Sequence, residues 1–256
     1  MTEGRWAVRA GLTGERTMNL YAKEVKKVFA RQGRGGEFCA LSTTDLTLKA
    51  GQLVEITGRS GSGKSTLLQI LGGLLQPTAG QVVLDDMDLY ALGDGALSRL
   101  RNRHIGIIPQ GHTALRSLSV AENVILPARL YAEGAAGEAP FDEAACKARA
   151  AALLDMVGIG DLAEEEPTQL SGGELRRVAI ARALMRQPAI LLADEPTGDL
   201  DDENTARVLK LLRQYADDGA AVLLVTHEGA AAAYADTVYE MSAGVLRLAG
   251  AEKARP

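Results

Sequence analysis

The run Gly58-Arg59-Ser60-Gly61-Ser62-Gly63-Lys64-Ser65-Thr66 constrains this chain more than any other stretch. It follows an apolar segment, Leu53 to Thr57, and opens a segment with helical spacing, Leu67-Leu68-Gln69-Ile70-Leu71. Strand, glycine loop and helix in that order are the setting of a phosphate-binding loop. The glycines let the chain turn so that successive backbone N–H groups point at phosphate oxygens. The helix N-terminus adds partial positive charge behind them. Lys64 would reach the β- and γ-phosphates as a point charge, the Ser65 hydroxyl would ligate Mg²⁺, and Thr66 would add a donor. A glycine-rich turn before an ordinary helix is the plainer alternative, and the flanking strand and helix favour the nucleotide.

At 256 residues there is ample chain for a buried core. A net charge of −5 argues against a general nucleic-acid or anionic-membrane surface. Cys39 and Cys146 lack the spacing of a metal site or disulfide framework and are expected as free thiols in a reducing compartment. No segment approaches the roughly 18 consecutive apolar residues that span a bilayer. The N-terminus carries Arg5, Arg9 and Arg16 without an apolar core of signal-peptide length, so no export is expected. If the chain works at a membrane, another polypeptide must take it there.

Residues 1–17 are polar and aperiodic and are expected as a loose tail, with a single domain over 18–250. Within it, Met18 to Phe29 and Leu41 to Leu48 alternate as strands, and Gln81 to Asp85 returns as another, giving a β subdomain and phosphate-loop core over 18–93. Residues 94–187 read as a helical insertion around a short strand, Ile105 to Ile108. Its helices run from an Asp94 cap through Arg103, from Ser119 to about Tyr131, from Asp142 to Val157, and from a Ser171/Glu174 capping box to about Met185. Glu133 to Pro140 is a small-residue linker and Glu164-Glu165-Glu166-Pro167 an exposed acidic loop. The second part of the core, 188–250, has apolar strands Ala189 to Ala193 and Ala221 to Thr226, a helix Glu203 to Tyr215, an alanine-rich helix after His227, and closing strands Thr237 to Met241 and Gly244 to Leu248. The expected fold class is α/β: a P-loop NTPase core with a mainly parallel sheet, an N-terminal antiparallel β subdomain and an inserted α-helical subdomain.

Ile190-Leu191-Leu192-Ala193 ends in Asp194-Glu195-Pro196, placing two carboxylates at the C-terminal tip of a core strand, where open α/β sheets bind ligands. Asp194 is placed to hold a Mg²⁺ shell and Glu195 to orient or deprotonate an attacking water.

From about Asn19 to Leu248 the chain resembles the ATP-binding-cassette (ABC) ATPases. The most specific element is Leu170-Ser171-Gly172-Gly173-Glu174, followed by Arg177 and Ala179-Ile180-Ala181-Arg182-Ala183-Leu184, which matches that family's signature. The order of P-loop, Gln110, signature, Asp194-Glu195, Gly198-Asp199-Leu200-Asp201 and His227 also agrees. The resemblance implies two cassettes stacked head to tail as a dimer, taken as two copies of this chain, around two ATP molecules. Ser171, Gly172 and Gly173 would then donate to the γ-phosphate across the interface, with Asp201 also at the nucleotide. Gln110 would touch Mg²⁺ or the lytic water, and His227 would bond the γ-phosphate. Phe29 matches the aromatic that stacks on adenine, with Tyr21 as a competitor. His104 and His112 have no such setting and read as structural.

Several runs resemble the macrolide and lipoprotein-release exporter branch: His104-Ile105-Gly106-Ile107-Ile108-Pro109-Gln110, Ser119-Val120-Ala121-Glu122-Asn123-Val124, and Ala193-Asp194-Glu195-Pro196-Thr197-Gly198. This implies a peripheral subunit on the cytoplasmic face of the membrane, docked through Gln110 to Tyr131 onto a separate integral membrane permease. Export or release of a lipoprotein, peptide or antibiotic is expected. A mechanotransmission role is the alternative, and action on nucleic acid or ribosomes is disfavoured. The chain departs from the family pattern at three places. Pro109 replaces an aromatic, Leu175-Arg176-Arg177 replaces a glutamine-rich start, and Ala243 stands where an acid is usual.

Overall fold

Alternating apolar positions make Leu20–Ala30 (β1) and Glu37–Leu48 (β2) an antiparallel pair, with Leu20 opposite Leu48 and Phe29 opposite Phe38. The computed structural model describes residues 17–30, 36–111, 113–131, 141–227 and 229–249. The expected tail, the 133–140 linker and His112 therefore fall outside the described residues, apart from Thr17. Ala79–Leu84 (β4) pairs with the other edge of β1, and Met87–Asp88 (β5) completes a sheet of order β2-β1-β4-β5.

Leu53–Thr57 (β3) lies in a second, six-stranded sheet with Ile105–Ile108 (β6), Ile190–Asp194 (β7), Ala221–Val225 (β8), Thr237–Ser242 (β9) and Val245–Leu248 (β10). Its order is β10-β9-β3-β8-β7-β6, parallel except for the β9–β10 pair. Every residue of β7 and β8 is buried, as continuous apolar strands covered on both faces should be. Ile190, Leu192, Leu223 and Val225 face one hydrophobic cluster, shared with Lys64–Leu71 (α1), Asp94–His104 (α2) and the antiparallel sheet. Leu191, Ala193, Val222 and Leu224 face the other. That second cluster holds Val120–Arg129 (α3), Glu143–Met156 (α4), Gly172–Leu184 (α5) and Asp202–Asp217 (α6). The short strand inside the helical stretch, β6, belongs to the core sheet, with Ile105 opposite Ile190.

Local chemistry sets most boundaries. Ser119 and Ser171 each close a capping box, with Glu122 and Glu174. Two expectations need correction. Gly93, not Asp94, occupies the cap of α2, and Asp94 sits in the first turn, where its charge favours the helix dipole. The alanine-rich segment after His227 forms only a 3₁₀ turn, Gly229–Ala233. Five residues cannot repay helix nucleation, and Asp236 just beyond is pinned by the Leu53 N–H and by Arg213. In the acidic loop residues 164–166 are exposed but Pro167 is buried, and the Ala163 and Glu165 carbonyls accept from the first N–H groups of α3.

Glu55, in the middle of β3, is fully buried, and neither carboxylate oxygen has a hydrogen-bond partner among the described residues. Burial pushes its carboxyl up to about 7 from 4.5. The folded chain thus holds a proton that the unfolded chain releases near 4.5, so this contribution is complete below that pH and is lost as pH rises towards 7. Glu55→Gln should flatten the pH dependence between those values and stabilise the chain at pH 8 by on the order of 2–3 kcal/mol. Urea unfolding at pH 5 and pH 8 measures this, and an unchanged pH slope would contradict it.

Candidate nucleotide-binding and hydrolytic site

The glycine loop between β3 and α1 is shaped from behind by backbone. A Cβ at Gly58 would lie 2.2 Å from the Met241 carbonyl oxygen, and one at Gly63 would lie 2.5 Å from that of Ala40. Gly63 caps α1 at φ 110 and ψ 0, without a side-chain bond and with no acid in the first turn. The helix therefore begins with uncompensated N–H donors at its positive end, unlike α3 and α5 with their capping boxes. Ser62 Oγ is buried without a hydrogen-bond partner among the described residues. Lys64, 6% exposed, folds its ammonium back onto the Gly58 and Arg59 carbonyls at 2.6 and 3.0 Å.

The strand tips carry the rest of this cluster. Asp194, at the end of β7, is buried and bonded by the Ser65 hydroxyl. Desolvation raises its carboxyl, and the neighbouring Glu195 adds to the rise. The Ser65 bond, Lys64 and Arg176 oppose it. Glu195 follows in the left-handed region at φ 49, a costly conformation for a residue with a side chain. Its backbone N–H donates to the Val225 carbonyl at 2.8 Å. Both carboxylate oxygens are engaged: Gln110 Nε2 donates to Oε2 at 2.9 Å, and His227 Nδ1 lies 3.1 Å from Oε1. The loops after β6, β7 and β8 thus converge on one carboxylate.

Ser171, Gly172, Gly173 and Asp201 form a separate cluster. With Arg177, Asp199, Leu200 and Asn204 they line an open cavity of about 390 Å³. Asp201 caps α6, its carboxylate accepting two 2.8 Å bonds from Asn204 that hold it below its ordinary pKa. Arg177 spans this cavity wall, reaching the Gly173 and Gly158 carbonyls and Asn204. Sequence reasoning gave no role to Asn204 or to the Ala40 and Met241 carbonyls. Backbone contacts leave no residue pattern, but a polar residue three positions after a capping aspartate was a readable signal for Asn204.

Phe29 stands at the end of β1 nearer the P-loop, since Val28 pairs with Cys39, next to the Ala40 whose carbonyl lies against Gly63. Its ring is partly exposed and lies 5.0 Å from the Lys27 ammonium. Tyr21, opposite Thr47, lies at the far end of the same strand. In the segment after Gln110, buried Asn123 ties down the loop by bonds to Leu115, Leu118 and Ser119, leaving Leu115 exposed. Leu130 is exposed just past the end of α3.

A family model described as ABC transporter matches residues 41–198. The lipoprotein-releasing system ATP-binding protein LolD of Alcanivorax borkumensis is 40% identical over 229 residues, covering 89% of this chain and 96% of that protein. The macrolide export ATP-binding/permease protein MacB of Rhodopseudomonas palustris is 44% identical over 219 residues, which are 84% of this chain but 32% of that longer protein. A dimeric post-hydrolysis structure of the ATP-binding cassette MJ0796, bound to ADP and Pi, aligns with a TM-score of 0.82 at 35% identity, covering 90% of this chain and 98% of that one. Motif order, sheet topology and relatives agree, and this chain belongs to the ABC transporter family as one of its ATPases.

Proposed function

We propose that two copies of this chain close head to tail around two ATP molecules and drive a separate membrane permease that exports or releases a lipoprotein, peptide or antibiotic. The observation that carries this is the division of the machinery. One cluster holds the P-loop, Asp194, Glu195, Gln110 and His227, while the signature N-terminus opens on a different cavity. Each cluster is half a nucleotide site, and head-to-tail pairing unites them. The relatives support the permease: two carry export or lipoprotein release in their names, and one has a permease in the same polypeptide. Among the described residues no helix is long and apolar enough to cross a membrane, which fits a peripheral subunit on the cytoplasmic face.

Within the site, the start of α1, which has no side-chain cap bond, and the unpartnered Ser62 hydroxyl suit phosphate oxygens, and Lys64 can turn from two carbonyls to the β- and γ-phosphates. Phe29 stacks on the base. Ser65, Asp194 and Gln110 are oxygen donors that suit Mg²⁺, which takes few protein ligands and completes its shell with phosphate and water. Bound there, Mg²⁺ would neutralise charge on the phosphates. Glu195, freed from Gln110 and His227, orients and deprotonates the attacking water, and His227 turns to the γ-phosphate. Leu115 and Leu130 offer the permease apolar contacts on the surface from Gln110 to Tyr131.

Capture of ATP-loaded Glu195→Gln from native membranes tests the coupling role. A multi-span membrane protein is the expected companion. Recovery of ribosomal or DNA-repair proteins instead would leave the ATPase standing and remove the transporter reading.

A further inference from the structure

Two of the three departures from the family pattern meet in the folded chain. Arg176, on the second turn of α5 and only 4% exposed, donates through one guanidinium nitrogen to the Pro109 carbonyl at 2.7 Å and through the other to the Gln110 carbonyl. A Cβ on Gly198 would lie 3.7 Å from the second nitrogen, so the guanidinium also lies against the loop that follows Glu195. Its charge reaches Asp194. One side chain of the signature helix therefore grips the backbone of the residue whose amide holds Glu195.

Stability alone accounts poorly for a cation here. Among the described residues the buried Nε group has no hydrogen-bond partner and no carboxylate pairs with the guanidinium. Two neutral carbonyls compensate a buried charge only in part. The arrangement does provide rigidity. Pro109 fixes its own φ and restricts Ile108 before it, so Gln110 is held on one side by a stiff strand end and on the other by Arg176. A two-pronged planar donor resists rotation of the peptide it grips better than a single amide would.

We propose that Arg176 is a positioning residue that ties the signature helix to the Gln110–Glu195 pair. A displacement of the α5 N-terminus, where Ser171 begins the helix one turn earlier, is transmitted through the 109–110 backbone and sets whether Gln110 holds or releases the base. This rests on Gln110 serving the hydrolytic site.

The test is a double-mutant cycle on the full chain, reading kcat, ATP Kd and thermal midpoint. Arg176→Met, which keeps the apolar stem, should lower kcat about tenfold or more while ATP Kd stays within about twofold. Arg176→Lys, which keeps the charge but not the two-pronged grip, should lose an intermediate share of the rate, and it carries the comparison if Arg176→Met fails to fold. In a Gln110→Ala background, Arg176→Met should cause no further loss, because the residue it positions is gone. Equal losses in both backgrounds, or a matching weakening of ATP binding, would overturn the inference alone. Unchanged turnover in Gln110→Ala itself would remove Gln110 from the hydrolytic site and the inference with it.

Discussion

Glu195→Gln should bind ATP with near-normal affinity and hydrolyse it about 10²- to 10⁴-fold more slowly, the range lost with a positioned general base. The substitution is close to isosteric, so the β7 tip, the strained backbone at φ 49 and the neighbouring Asp194 should keep their places. What changes is basicity. An amide can accept a bond on its oxygen, but it cannot take a proton from water, and an NH₂ group facing Gln110 Nε2 would set donor against donor. Phosphate release and nucleotide binding, measured on the same preparation, separate the two effects. Turnover within tenfold of the unmodified chain would displace Glu195 as the base.

Gly63→Ala should abolish measurable nucleotide binding, with a loss of at least about 100-fold in affinity, and lower the thermal midpoint as well. The new methyl carbon would stand 2.5 Å from the Ala40 carbonyl oxygen and 3.2 Å from the Met241 sulfur. The sulfur can move, but the carbonyl belongs to β2 and cannot yield without shifting the strand. The residue would also have to hold φ 110, worth roughly 1–3 kcal/mol of strain for a residue with a side chain. Any relaxation tilts the first turn of α1 and misdirects the N–H groups that face phosphate. Gly51→Ala is the control. It sits at φ 81 with no atom near a Cβ, so it should cost stability alone, about 1 kcal/mol, and leave ATP affinity unchanged. Equal affinity losses in the two variants would show that strain, not the contact with Ala40, matters.

The P-loop was legible because its chemistry is written in backbone freedom: positive φ at Gly58, Gly61 and Gly63 demands glycine. The β7 tip was legible for a different reason. A strand buried on both faces reads as an unbroken apolar run, so the two acids closing it stand out. Capping boxes marked α5 almost to the residue. What the chain did not disclose was convergence. Gln110 and His227 stand 85 and 32 residues from Glu195, and nothing local announces that both side chains occupy its oxygens. Nor did the alanines after His227 reveal their conformation, since propensity over so short a segment yields to the tertiary anchor at Asp236. Arg176 reads in sequence as a charged helix position, yet it is among the most buried polar residues of the fold. Only the packing of α5 beneath the strand ends explains that inversion.

The six-stranded sheet has a kinetic corollary. α1 packs against one of its faces and α5 against the other, because alternate residues of β7 and β8 belong to separate hydrophobic clusters. Under the head-to-tail arrangement proposed above, the signature N-terminus that completes each P-loop therefore comes from a second chain. On the proposed pairing, ATP turnover by dilute chains should rise with the square of their concentration, becoming linear only once encounters saturate. A permease that holds two cassettes side by side would abolish that reaction order by making the encounter intramolecular, at a local concentration far above that of free chains.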